Sequence, residues 1–164
     1  MVADNDKKVF QAFKDYEPDF QLEFGNPMAF DIDAVVSPAN TLGIMNGGFD
    51  ASIRRVLGTW AEVNARKAID ERGGIKIGEA IVVSTYHKKI TKLIVAPTIS
   101  HRGEMGGETS FIYDVAFSAV NVAKKAGIKK LGMTSLGTGA RGLNLYETAV
   151  HQIEGIHDAL YGKE

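Results

Sequence analysis

The chain of 164 residues contains no cysteine. That absence excludes disulfides, thiolate nucleophiles and thiolate-bound zinc. An excess of either charge is missing too: 19 basic residues stand against 20 acidic ones, a formal net charge of -1. Nucleic-acid-binding domains concentrate Lys and Arg enough to shift that balance, so the composition argues against a nucleic-acid partner. No apolar run approaches the roughly 20 residues of a membrane-spanning helix. The opening residues, Met1 to Lys8, are polar and acidic, the opposite of a signal peptide. Internal repeats and low-complexity segments are absent as well. These absences predict a cytoplasmic protein without a membrane partner, and the length fits a single domain over residues 1–164.

What is present suffices for a core without staples, since 45% of residues are hydrophobic. Phe20 to Phe24 alternates apolar and polar side chains, the pattern of a half-buried strand. Ala34-Val35-Val36 is a short strand stopped by Ser37-Pro38. Helices are predicted over Asp50 to Leu57 and Thr59 to Glu71, the second ended by Gly73-Gly74. Ala80 to Thr85 and Leu93 to Pro97 are apolar at consecutive positions, as buried central strands are. A glycine-bearing loop over Ser100 to Glu108 precedes a helix from Thr109 to Ala126, with apolar residues at helical spacing. Lys130 to Ser135 forms a last strand and Asn144 to Tyr161 a last helix, whose Asn144-Leu145-Tyr146-Glu147 has the form of a capping box. Strands alternating with helices predict an α/β fold: a three-layer α/β/α sandwich with a mixed, mostly parallel central sheet.

In such a fold ligands bind beyond the carboxyl ends of the strands. Two strand-to-helix connections there are glycine-rich: Ser37 to Asp50, and Ser135 to Gly142. Glycine lets main-chain N–H groups approach a ligand, and a helix N-terminus adds a dipole favouring anions, above all phosphate. Two such loops facing one cleft suit a pyrophosphate. The second, Gly137-Thr138-Gly139-Ala140-Arg141-Gly142, matches the dinucleotide pattern Gly-x-Gly-x-x-Gly. That fingerprint also needs a further strand ending in an acidic residue about twenty residues on, and here the chain finishes in a helix. A nucleotide-hydrolase loop fails as well, because Leu143 stands where its lysine belongs.

Asp33-Ala34-Val35-Val36-Ser37-Pro38-Ala39-Asn40, six further residues, then Gly47-Gly48-Phe49-Asp50 resembles the macro-domain signature, with the loop spacing of the MacroD-type hydrolases. Gly139-Ala140-Arg141-Gly142 is similar to that family's second phosphate loop, and Gly25-Asn26-Pro27-Met28 to its Gly-Asp-Ile segment. The resemblance covers about Gly25 to Glu147. It implies binding of ADP-ribose or ADP-ribosylated protein, with no cofactor, in a site formed by Asn26, Pro27, Ala39, Asn40, Gly47, Gly48, Phe49, Ser135, Leu136, Gly137, Thr138, Gly139, Ala140, Arg141 and Gly142.

Within that resemblance, Asn40 and Asp50 are the catalytic pair. Asn40 holds the distal ribose hydroxyls, for which an amide supplies both donor and acceptor. Asp50 orients a water at the anomeric carbon; as a plain helix residue it would instead serve as an N-cap. Two departures stand out. Asn26 replaces an Asp that accepts from the adenine amino group, turning a charge-assisted bond into a neutral one. Arg141 replaces an aromatic residue and can stack by its guanidinium plane or pair with a phosphate. The implied activity is hydrolysis of ADP-ribosyl linkages, on protein acids or in O-acetyl-ADP-ribose. The alternatives are a non-catalytic binding module, a phosphatase processing ADP-ribose 1″-phosphate, and a phage-type structural protein that has lost the ligand. His151 and His157 lie about 240° apart around a helix, and His87 and His101 lack partners at recognisable spacing, so no metal site is expected.

Overall fold

The computed structural model describes residues 1–105, 108–138 and 143–162. The polar opening segment turns out to be structural. Val2–Asp4 forms strand β1, and Lys7–Asp15 forms helix α1. Asp6 starts that helix by accepting from the N–H groups of Lys8 and Val9, and Val9, Ala12 and Phe13 bury one face of it. Strand β2 is Leu22–Phe24, followed by a 3-10 turn over Pro27–Ala29 and strand β3 over Ala34–Ser37. Helices α2 (Gly48–Leu57) and α3 (Thr59–Glu71) precede strands β4 (Ile81–Ser84) and β5 (Lys92–Val95). Helix α4 (Phe111–Lys125), strand β6 (Leu131–Gly132) and helix α5 (Leu145–Tyr161) complete the order.

Four strands pair in the order β4-β5-β3-β6 and two in the order β1-β2. An isolated parallel bridge between Val2 and Met133 joins the groups: Ala3 N–H donates to Met133 O at 3.0 Å and Met133 N–H to Met1 O at 3.1 Å. The sheet therefore runs β4-β5-β3-β6-β1-β2, parallel except for β4 against β5. Successive side chains on a strand point to opposite faces. Val36, Ile94 and Met133 accordingly pack with Val9, Phe13, Ile112, Ala116 and Ile156 from α1, α4 and α5. Val35, Leu93 and Val95 pack with Ile53, Ala61, Ala65 and Ile69 from α2 and α3. The three-layer α/β/α architecture with a mixed, mostly parallel sheet is what the alternation of elements predicts.

Two local expectations differ from the structure. The segment read as a central strand from Ala80 to Thr85 is β4, the antiparallel edge, with Ile81 and Val82 half-buried and Ser84 exposed. Its consecutive apolar residues have another origin: Val82 packs toward one helical layer and Ile81 and Val83 toward the other, so even an edge strand is covered on both faces. The capping box at α5 is half made. Asn144 accepts from the N–H groups of Tyr146 and Glu147, but the Glu147 carboxylate reaches the Thr109 hydroxyl instead of returning to the cap.

Candidate functional site

Strands β3 and β6 are parallel neighbours, so the two glycine-rich loops leave adjacent strand ends on the same side of the sheet. In the first loop, Gly47 stands at the N-cap of α2 and brings no side chain to it, while Gly48 takes φ 56°. A Cβ added to either glycine would meet open space. A gap therefore lies over these two glycines, and no side chain caps the first-turn N–H groups of α2, which lack partners inside the helix.

Below that gap the first loop is tied internally. The Asn40 amide oxygen accepts from Leu42 N–H (3.0 Å) and Ile44 N–H (3.2 Å), and its nitrogen donates to Ile44 O (3.2 Å). Thr41 binds the 98–101 segment, its hydroxyl accepting from His101 N–H at 2.9 Å and facing His101 Nδ1 at 3.1 Å. Thr98 N–H donates to Ala39 O, and Ala39 itself is buried. On α3, the Glu62 carboxylate accepts from Met45 N–H at 2.6 Å.

Asp50 is the third residue of α2 and is not its cap. Only 7% exposed, it accepts the Ser37 hydroxyl at 2.5 Å beneath the loop. Burial pushes its pKa up to about 6; the Ser37 hydrogen bond opposes that rise and the Glu62 charge adds to it.

Beside the gap lies a cavity of about 230 Å³ lined by Asn5, Gly25, Asn26, Pro27, Gly48, Phe49, Ser52 and Thr134. Asn26, Pro27, Gly48 and Phe49 thus come together across the ends of β2 and β3. The Asn26 oxygen accepts from Met28 N–H at 2.9 Å and so caps the 3-10 turn. Phe49 both lines the cavity and packs against the α2–α3 core. Asn40 and Asp50 do not line it. A larger groove of about 800 Å³ lies elsewhere, between α4, α5 and residues 16–19, and none of the described residues of either glycine-rich loop lines it.

The second loop is described as far as Thr138; Gly139, Ala140, Arg141 and Gly142 lie outside the described residues. Three of its donors are already taken. Ser135 N–H and the Ser135 hydroxyl go to the Asp4 carboxylate, and Leu136 N–H goes to the Gln152 side chain at 2.8 Å. Gly137 takes φ 74°, and a Cβ there would stand 2.8 Å from Ile112 Cδ1, so this turn requires glycine. Among the described residues, the N–H groups of Gly137 and Thr138 have no hydrogen-bond partner. No group of three or more His, Asp or Glu among the described residues is placed to hold a metal ion.

Sequence patterns miss Asp4, Asn5, Ser52, Thr134 and Gln152. Gln152 carried a usable signal: it falls on the apolar face of α5 with Thr148, Ala149, Ile156 and Ala159, where a polar residue must find a buried partner.

A family model for the Macro domain matches residues 36–151. The chain belongs to the macro-domain family. An uncharacterized protein of Aeropyrum pernix is 32% identical to this macro domain over 117 residues, 71% of this chain and 59% of that protein. The chain therefore spans less than two thirds of that relative's length. A macro domain-containing protein of Caldanaerobacter subterraneus subsp. tengcongensis is 24% identical over 138 residues, 84% of this chain and 79% of its own. In fold the chain is similar to the macrodomain of Mycobacterium tuberculosis DarG, with a TM-score of 0.68 at 22% identity, covering 82% of this chain and 87% of that one. It is equally similar to a Trypanosoma brucei macrodomain in complex with ADP-ribose: TM-score 0.68, 23% identity, 83% of this chain and 55% of that one.

Proposed function

We propose that this macro domain binds ADP-ribose at the carboxyl edge of its sheet and hydrolyses ADP-ribosyl linkages. The observation that carries the binding is the uncapped start of α2, where Gly47 and Gly48 leave the first-turn N–H groups open beside the cavity of Asn26, Pro27 and Phe49. The N–H groups of Gly137 and Thr138 supply a second set of donors from the neighbouring strand end, so one dianionic linker meets both loops. The base lies against Asn26 and Phe49. The Trypanosoma brucei and Oceanobacillus iheyensis macrodomains that share the fold have been solved with ADP-ribose, which supports the ligand class.

Hydrolysis follows from Asp50. A carboxyl titrating at about 6 is matched to general-base work near neutral pH. In the step proposed, Asp50 takes a proton from water as the hydroxide oxygen bonds to the anomeric carbon. The carbon–oxygen bond to the modified side chain breaks, and that side chain leaves as a carboxylate. The proton on Asp50 then passes to solvent. Asn40 holds the ribose hydroxyls, and both side chains must leave their present partners, Ser37 and the 40–44 loop, to act.

That requirement favours a second reading, a binding module without turnover. Mono-ADP-ribosylated protein incubated with the chain separates the two. Release of ADP-ribose that vanishes in Asp50→Ala, with binding kept, supports the hydrolase. Tight binding without release supports the module, and no uptake of ADP-ribose at millimolar concentration refutes both.

A further inference from the structure

Asp4 stands where three strands end. It closes β1, its carbonyl accepts Gly25 N–H (3.0 Å) just past β2, and its side chain reaches the residues just past β6. Oδ2 accepts from the Ser135 hydroxyl (2.6 Å), the Thr134 hydroxyl (2.9 Å) and Ser135 N–H (3.3 Å), while Oδ1 accepts from Asp6 N–H (2.9 Å). The residue is 8% exposed, and Asn5, Gly25 and Thr134 beside it line the cavity. Burying a charge is unfavourable unless its hydrogen bonds are met, and an apolar side chain would serve the sheet at least as well. What the carboxylate adds is its hold on the second loop.

That hold also sets the direction of a proton. Asp4 donates nothing here, so the single hydroxyl proton of Ser135 goes to Asp4. The Ser135–Thr138 hydroxyl pair, 2.5 Å apart, must then take its proton from Thr138. We propose that Asp4 is a positioning residue of the binding site: through Ser135 it fixes the second loop and turns the Thr138 hydroxyl proton inward. Among the described residues of that loop, only the N–H groups of Gly137 and Thr138 then remain to donate to a bound anion. The assignment rests on reading the cleft as an ADP-ribose site.

Wild type, Asp4→Asn, Ser135→Ala and the double variant are compared in two ways. Amide hydrogen exchange without ligand is followed at Leu136, whose N–H is held by Gln152 and not by Asp4. Calorimetric titration with ADP-ribose gives affinity. Each single substitution is expected to speed Leu136 exchange by about tenfold or more while α4 and α5 keep wild-type protection. Each should weaken ADP-ribose by about tenfold, and the double variant should bind no more weakly than the weaker single one, because both act through one contact. Wild-type exchange at Leu136 in Asp4→Asn, or affinity losses that multiply in the double variant, overturns the proposal. If Asp4→Asn does not fold, wild-type exchange at Leu136 in Ser135→Ala has the same force. A wild type that takes up no ADP-ribose refutes the ligand reading, and the exchange comparison still judges Asp4.

Discussion

At the residue scale, the site combines groups whose stability and function pull in opposite directions. Asp50 carries a folded-state pKa of about 6 against an ordinary 3.8. A group raised in this way favours the folded state at low pH, and that favour is lost as pH rises from 3.8 through 6. The difference amounts to roughly 3 kcal/mol at about 1.4 kcal/mol per tenfold. Asp50→Asn should therefore flatten the pH dependence of stability between pH 4 and 7, measured as the urea midpoint. Parallel curves for the variant and wild type would contradict it. Gly47 shows the same tension. Its φ of -151° suits any residue and a Cβ there meets open space, so Gly47→Asp supplies the helix cap that α2 lacks. Because Gly is itself a tolerable cap, the substitution should add only roughly a few tenths of a kcal/mol of stability, read as a slightly higher melting temperature. It should also weaken ADP-ribose at least tenfold or so by placing a carboxylate on the anion's seat. Tighter binding in that variant would refute the seat. The glycine loops could be read from sequence because glycine at a strand-to-helix junction has few other uses. Asp4 could not, since its partners Thr134 and Ser135 lie about 130 residues away and no local spacing links them.

At the element scale, most helices and strands followed from periodicity, because each buries one face against a known layer. What sequence missed was the opening pair, β1, whose three residues are too few to show a period and become a strand by pairing, and helix α1 after it. Strand β6 was expected over Lys130 to Ser135 and forms only over Leu131–Gly132. The role of β4 was misread because apolar runs report coverage of both faces, which an edge strand also has here. One contact between elements depends on a single hydrogen. At Gly155 of α5 a Cβ would stand 2.5 Å from Tyr113 O and 3.0 Å from Ala116 Cβ. Rigid backbone cannot yield as a side chain does, so Gly155→Ala should separate α5 from α4. A loss of about 1–3 kcal/mol is expected in denaturant unfolding, despite the better helix propensity of Ala. A variant as stable as wild type would show that the helices shift freely.

At the scale of the whole molecule, the near-neutral charge means that the proposed anion binding must rest on local N–H groups. Saturation with ADP-ribose at about 100 times its dissociation constant should add about 2.7 kcal/mol to stability, visible as a thermal shift. A shift seen equally with free ribose would mean that the phosphates contribute nothing. The architecture also bears on how the chain is made. The Met1 ammonium donates to Leu131 O at 3.0 Å, and β1 lies between β2, some twenty residues away, and β6, some 130 away. During synthesis β1 can gain β2 as a flank after some twenty further residues, but β6 only after some 130. Until β6 arrives the strand beneath the cleft keeps an open edge, with which another chain can pair.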